Sequence, residues 1–335
     1  MYSNVAPSDC FVRNYAPISY FPHQMAGEMY HLLPIPMVCY SYLKIGGRTV
    51  KRSKTKKLLA LLVILLLAVG LFAQTTTSGN VKLTAAYGTG IEAKLEAGYQ
   101  VKIPMLVGEG PLTSGNNLKL KALLGASPIA GTFAIDAVLT PLAVLEISLG
   151  GGIGTGWDFD LMELQGLKLG SGPVGTPLSS DSFGGTYYVG RAGAAFQFDT
   201  GVIFKSDWMS VVMRTYHELN FKGYSHADAD IAWEYENGGA MVNGFNYKGE
   251  YILGYQMPLM VNLVGVQLET FLYDVVDDRS ALFADASILA NTQITEQLSV
   301  LTAVQFTNYE KDTNRKIVTK DPSFKRVAVM VNYAF

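Results

Sequence analysis

From about residue 81 to the end of the chain, apolar and polar residues take turns. In GIEAKLEAGYQVKI, Ile91, Ala93, Leu95, Ala97, Tyr99, Val101 and Ile103 fall on one face; Glu92, Lys94, Glu96, Gln100 and Lys102 fall on the other. Wound as a helix, those charges would scatter around the axis; drawn out as a strand, they separate cleanly. The split recurs in NYKGEYILGYQM, where Tyr247, Tyr251, Leu253, Tyr255 and Met257 oppose Lys248, Glu250 and Gln256. In ALFADASILANTQI, Leu282, Ala284, Ala286, Ile288 and Ala290 oppose Asp285, Ser287, Asn291 and Gln293. This pattern commits the chain to strands.

A soluble sandwich also alternates. Three features point instead to a closed antiparallel transmembrane β-barrel, an all-β fold. The strands run to about ten residues or more, as membrane strands must. Short connections at 139–143, 205–208, 256–260 and 294–298 alternate with long ones at 156–184, 222–244, 274–280 and 310–323. Tight turns on one rim and long loops on the other describe such a barrel. Aromatic residues gather near strand ends, at Tyr187, Tyr188, Trp208, Tyr255, Tyr273, Tyr309 and Tyr333, where a membrane has its interfaces.

The strands read as 81–88, 91–103, 117–126, 131–140, 142–152, 186–204, 207–221, 246–257, 260–273, 281–294, 297–309 and 324–335. That is about twelve, an even number that puts both ends and all four short turns on the periplasmic rim. Ten or fourteen also fit, because IPMLVGEGPLTSGNN makes an over-long connection on that rim.

The last strand, FKRVAVMVNYAF, places Val327, Val329, Val331, Tyr333 and Phe335 at every second position up to the final residue. It resembles the C-terminal signature of bacterial outer-membrane β-barrel proteins, porins among them. The resemblance is close over a dozen residues and a matter of pattern elsewhere. It implies that these five residues are the assembly signal read by the barrel-assembly machinery. The stretch NGFNYKGEYILGYQMP resembles uncharacterised barrel proteins of spirochaetes.

Upstream lies VKRSKTKKLLALLVILLLAVGLFAQ. Its basic head holds Lys51, Arg52, Lys54, Lys56 and Lys57, and its apolar stretch runs from Leu58 to Ala73. A spanning helix needs about 20 apolar residues, so this shorter stretch reads as a secretory signal peptide, residues 50–73. The cut falls after Ala73, leaving Gln74 first, although Leu71 is larger than usual at its position. An uncleaved anchor helix is the alternative. Residues 1–49, with Cys10, Cys39, His23 and His31, show no sustained period. Val50 can be encoded by a GTG start codon, which makes 1–49 an extension created by a start assigned too far upstream. A genuine cleaved extension also fits. The barrel then occupies 74–335.

The residues after Ala73 hold no Cys, 18 Lys and Arg, and 26 Asp and Glu. That balance argues against a nucleic-acid partner. Disulfides and Cys ligation are excluded, and with His217 and His226 alone no His-rich metal site forms, so no cofactor is expected. ENGG and DADAD lack the spaced oxygen set of a calcium loop. A hydrolase needs a nucleophile beside a His with a third group orienting it. His217 shares its face with Thr215 and Leu219, toward lipid, and Ser225 and His226 are mere neighbours. A non-enzyme is expected, with a barrel lipid hydrolase the remoter alternative.

With the apolar face toward outer-membrane lipid, Lys94, Lys102, Lys119, Lys121, Arg191, Arg214, Lys248 and Arg326 line the lumen. Glu92, Glu96, Asp136, Glu146, Glu218, Glu250, Glu269 and Asp285 face them there. On the lipid side each Arg or Lys near the midplane would cost about 2–4 kcal/mol. Eight against eight reads either as ion pairs bracing the wall or as a transverse field across a water-filled pore. Both imply weak ion selectivity. The loop 156–184 reads as an inward constriction or, favoured by its Gly and Ser content, a mobile surface loop. The expected function is porin-like passage of small hydrophilic solutes. The alternative is a non-conducting barrel presenting loops to partners, which a narrow, filled lumen would favour.

Overall fold

The computed structural model describes residues 75–204, 208, 210–276 and 281–335. The leader, the upstream extension and their cysteines lie outside the described residues, as do parts of the 205–208 turn and the 274–280 loop. Twelve strands form one closed barrel. They are β1 (Thr76–Gly88), β2 (Ile91–Pro104), β3 (Asn117–Ser127), β4 (Ala130–Leu142), β5 (Leu145–Gly156) and β6 (Tyr187–Asp199). The second half is β7 (Ser210–Tyr224), β8 (Gly244–Gln256), β9 (Val261–Leu272), β10 (Phe283–Gln293), β11 (Leu298–Lys311) and β12 (Ile317–Ala334). Each pairs antiparallel with the next, and β12 closes on β1 from Asn80↔Ala334 to Gly88↔Arg326.

The period-2 pattern becomes a two-sided wall. Along β7, Val212, Arg214, Tyr216, Glu218 and Asn220 are buried, while Val211, Met213 and Leu219 are exposed. The exposed set continues around the barrel with Leu83, Leu95, Leu124, Ile135, Leu149, Leu253, Val266, Ile288, Val327 and Val329. A closed barrel satisfies its backbone without water, and an apolar band on its outside is the surface of a protein that sits in lipid. Aromatic pairs such as Tyr188–Phe221 and Phe221–Phe245 mark one end of this band; Tyr255, donating to the Trp208 carbonyl, marks the other.

The strand count agrees with the alternation, both barrel ends and the short connections share one rim, and the over-long connection is there as residues 105–116. Three boundaries differ by five residues or more. The first strand begins at Thr76, not residue 81. The sixth strand stops at Asp199, and Gly201–Phe204 makes one helical turn. The twelfth strand begins at Ile317, not residue 324, because its upper part pairs with β11 across two register shifts. Pro322 lies within the second shift, between Thr307↔Ser323 and Tyr309↔Thr319, where its missing N–H spares the ladder.

Candidate functional site

The inner wall carries a charge lattice. Lys119 reaches over β4 to Glu146 at 2.7 Å. Arg214 donates to Glu250 at 2.9 Å and lies 3.9 Å from Glu146. Lys248 meets Glu269 at 2.7 Å. Arg191 Nε donates to Asp136 Oδ1 at 2.7 Å, across a gap that Gly150 keeps open: a Cβ there would lie 1.8 Å from the same carboxylate oxygen. Glu218 accepts from Tyr216 Oη at 2.7 Å and Asn220 Nδ2 at 2.9 Å. Glu96 pairs with Lys82, and Arg326 with Glu92. Lys121 sits among Lys119, Glu146 and Asp136.

Most of these groups are deeply buried, with Glu250, Glu269 and Asp285 at 0% exposure. Lys102 is exposed at the rim that holds the short turns and both barrel ends, and Glu92 is half-exposed at the opposite rim. The charges reach one another directly across the wall, so the bracing reading describes the middle of the barrel. Below it, Asn80, Asn332, Gln100 and Asn291 are only partly buried.

Two positions escaped the alternation for different reasons. Lys82 lies in a regular strand and could have been counted. Lys325 could not: a bulge between Gln305↔Arg326 and Phe306↔Phe324 inserts one extra residue in β12. Lys325 and Arg326 therefore both turn inward. Lys325 meets Asp285 at 2.6 Å and Tyr309 Oη at 2.8 Å.

The loop 156–184 corrects the expectation of a mobile surface loop. Leu167–Gly170 forms a three-stranded sheet with Leu178–Ser180 and with Trp233–Tyr235 from the β7–β8 loop. Sequence missed this cap because its strands have only three or four residues, too few to show a period. Leu167, Trp233 and Tyr235 are fully buried against Ala130, Ala134, Tyr187, Val189 and Tyr224. Tyr187 and Tyr235 stack at 4.3 Å, and Tyr187 meets Trp233 edge-on at 5.9 Å. Tyr235 Oη donates to the Gly131 carbonyl at 3.0 Å and lies over Gly154, where a Cβ would come within 2.6 Å of it. Burial and the charge of Glu236 push this hydroxyl far above its ordinary pKa, so it remains a donor.

One side of the cap thus rests on β4–β7 through aromatic rings. Its other side reaches β2, two strands from β4, and the β11–β12 turn, across the barrel in strand order, mainly through charges, with a backbone bond from Ala240 N to Arg315 O at 2.8 Å. Glu234 accepts from Arg315 Nε at 2.9 Å and Nη2 at 2.5 Å, and from Lys168 at 3.0 Å. Burial alone would raise the Glu234 pKa. The hydrogen bond and charge of Arg315, with Lys168 and Lys311, outweigh that and hold the carboxyl below its ordinary range. Glu236 pairs with Lys94 at 2.9 Å, Lys311 donates to the Asn237 carbonyl, and Asn314 Nδ2 donates to Gly175 O at 2.7 Å.

The histidines lie outside the lattice. His217 faces outward with Nδ1 2.6 Å from Tyr247 Oη. His226 Nδ1 lies 3.1 Å from Asp181 Oδ2, an orienting carboxylate that sequence did not reveal. Ser225 Oγ accepts from the Thr186 backbone at 2.9 Å.

No protein-family model matches this chain, and no curated protein matches it. Similar solved structures include the KdgM porin in complex with disordered oligogalacturonate, at 9% identity and TM-score 0.38, covering 76% of this chain and 99% of that one. The NanC porin matches at 7% and 0.38, over 77% and 98%. The translocator domain of the autotransporter NalP from Neisseria meningitidis matches at 11% and 0.39, over 84% and 97%.

Proposed function

We propose that this chain is a narrow outer-membrane channel, closed at rest, that passes small hydrophilic solutes when its cap lifts. The observation that carries the reading is the asymmetry of the cap. An aromatic seat on β4–β7 works as a hinge, and ion pairs to β2 and the β11–β12 turn work as a latch. Beneath it runs a hydrophilic interior lined by charges of both signs. Twelve strands enclose more than the eight whose side chains just fill a barrel, and far less than the sixteen of an open porin. Residues 50–73 would export the chain, and Val327, Val329, Val331, Tyr333 and Phe335 would recruit the assembly machinery. Mass spectrometry of the native protein is expected to find its N-terminus near Gln74; peptides containing Cys10 or Cys39 would overturn that processing.

The test is conductance of the refolded protein in a planar bilayer. The unmodified barrel should be mostly closed. Shortening the 225–243 loop should yield ohmic steps with little preference between K⁺ and Cl⁻. The second reading, a non-conducting barrel that displays its loops, is favoured by the depth at which Trp233 and Tyr235 are packed. A membrane that stays sealed with the loop shortened would establish it instead.

A further inference from the structure

We infer that the latch is a recognition site for small solutes bearing carboxylate groups, occupied at rest by the cap's own Glu234 and Glu236. The inference rests on reading the cap as a displaceable gate. The latch has more cations than acids: Lys94, Lys168, Lys311 and Arg315 gather around Glu234 and Glu236. Lys94 belongs to β2, Lys311 ends β11, and Arg315 sits in the turn before β12. Lys94 and Lys311 belong to the wall and Arg315 to the turn that joins two of its strands, so all three stay when the cap lifts; Lys168 moves with the cap.

Arg315 holds Glu234 through two nitrogens, Nε and Nη2, the fork by which a guanidinium grips a planar carboxylate. Its Nη2 also donates to Asn237 Oδ1 at 2.6 Å, so the grip includes a neutral oxygen beside the acid. That combination suits an acid carrying hydroxyl or carbonyl oxygens. Glu234 is fully buried there, and Glu236 nearly so at 8%. Lifting the cap takes two counter-charges from three cations at once and leaves Glu92, already paired with Arg326, as the acid near Lys311, which is unfavourable until an anion arrives. A carboxylate solute binds the wall only when the glutamates have left, so it stabilises the open state by its differential affinity. Partial access exists already, with Arg315 at 30% side-chain exposure and Lys94 at 20%.

The test uses glucuronate as the probe, with glucose and glucosamine as neutral and cationic controls. Binding to the full refolded barrel is measured by calorimetry at low salt. Glu234→Gln with Glu236→Gln should tighten glucuronate binding about tenfold or more. Adding Arg315→Gln or Lys94→Gln should abolish the gain. Binding no tighter in the double variant, or unaffected by loss of Arg315 and Lys94, overturns the site.

A second measurement needs no latch variant. With Trp157→Phe and Trp208→Phe, Trp233 is the sole reporter, and glucuronate should raise its quenching by acrylamide while glucose does not. Unchanged quenching at saturating glucuronate overturns displacement of the cap. Conductance separates the two readings. Steps without glucuronate binding leave the channel standing and remove the site, whereas binding to a membrane that stays sealed keeps the site and removes the channel.

Discussion

Arg214 on β7 lies between two acids, donating to Glu250 on the adjacent β8 and approaching Glu146 across β6 on β5, and is 3% exposed. Replacing it with Met leaves two buried carboxylates with one cation fewer. Removing one partner of a buried pair costs about 3–5 kcal/mol, against about 0–1 for an exposed pair. Arg214→Met should therefore lower the urea midpoint of the refolded barrel strongly. Lys320→Met, whose partner Glu310 is more than half exposed, should barely move it. Equal midpoints would mean that water fills the middle of the barrel and screens the lattice. At this scale the sequence was partly legible. Alternation alone places Arg214, Glu146 and Glu250 on one face, but it cannot say that Lys119 reaches over a strand to Glu146. Lys325 was illegible for a sharper reason: one inserted residue reverses the parity on which the reading depends.

Among the elements, the cap is the one whose stability follows a titration. Glu234 has a folded-state pKa below its ordinary 4.5, held there by Arg315, Lys168 and Lys311 against the opposing effect of burial. The sign follows by linkage. Its contribution is complete above the unfolded value and is lost as pH falls from about 4.5 through the folded value. Quenching of Trp233 by acrylamide should thus stay low at neutral pH and rise below about pH 4.5. In Glu234→Gln it should be higher already at pH 7 and flatter with acid. The last strand carries a different expectation. Phe335 exchanges backbone hydrogen bonds with Gly79 at 2.8 and 2.9 Å, and its ring is mostly exposed to the surroundings. Deleting it removes little packing, at most about 1.5–3 kcal/mol. If Phe335 belongs to the assembly signal, assembly in cells should fall far more than the stability of barrels refolded in detergent. Equal losses would reduce it to an ordinary wall residue. Long strands were legible because ten residues repeat a period several times; the cap was not, because its contacts join loops 50 residues or more apart in the chain.

For the molecule as a whole, the outer face sets the solvent and the inner face sets the traffic. An apolar belt with charge confined to the inside was readable from the chain alone, since only one face could carry Leu, Ile and Val without penalty. Whether the inside is passable was not, because bore depends on side chains meeting across the axis. One feature of the wall adds a mechanical consequence. The upper half of β5 runs Gly150, Gly151, Gly152, Ile153, Gly154, Thr155, Gly156, and Tyr235 of the cap is seated on it. Glycine in a strand offers no side chain to grip its neighbours and loses the most freedom on folding. The barrel is therefore built like a cask with one pliant stave, and the lid bears on that stave. Lid and stave should breathe together: amide exchange along Gly150–Gly156 should quicken whenever the cap is loosened, while the staves opposite stay slow.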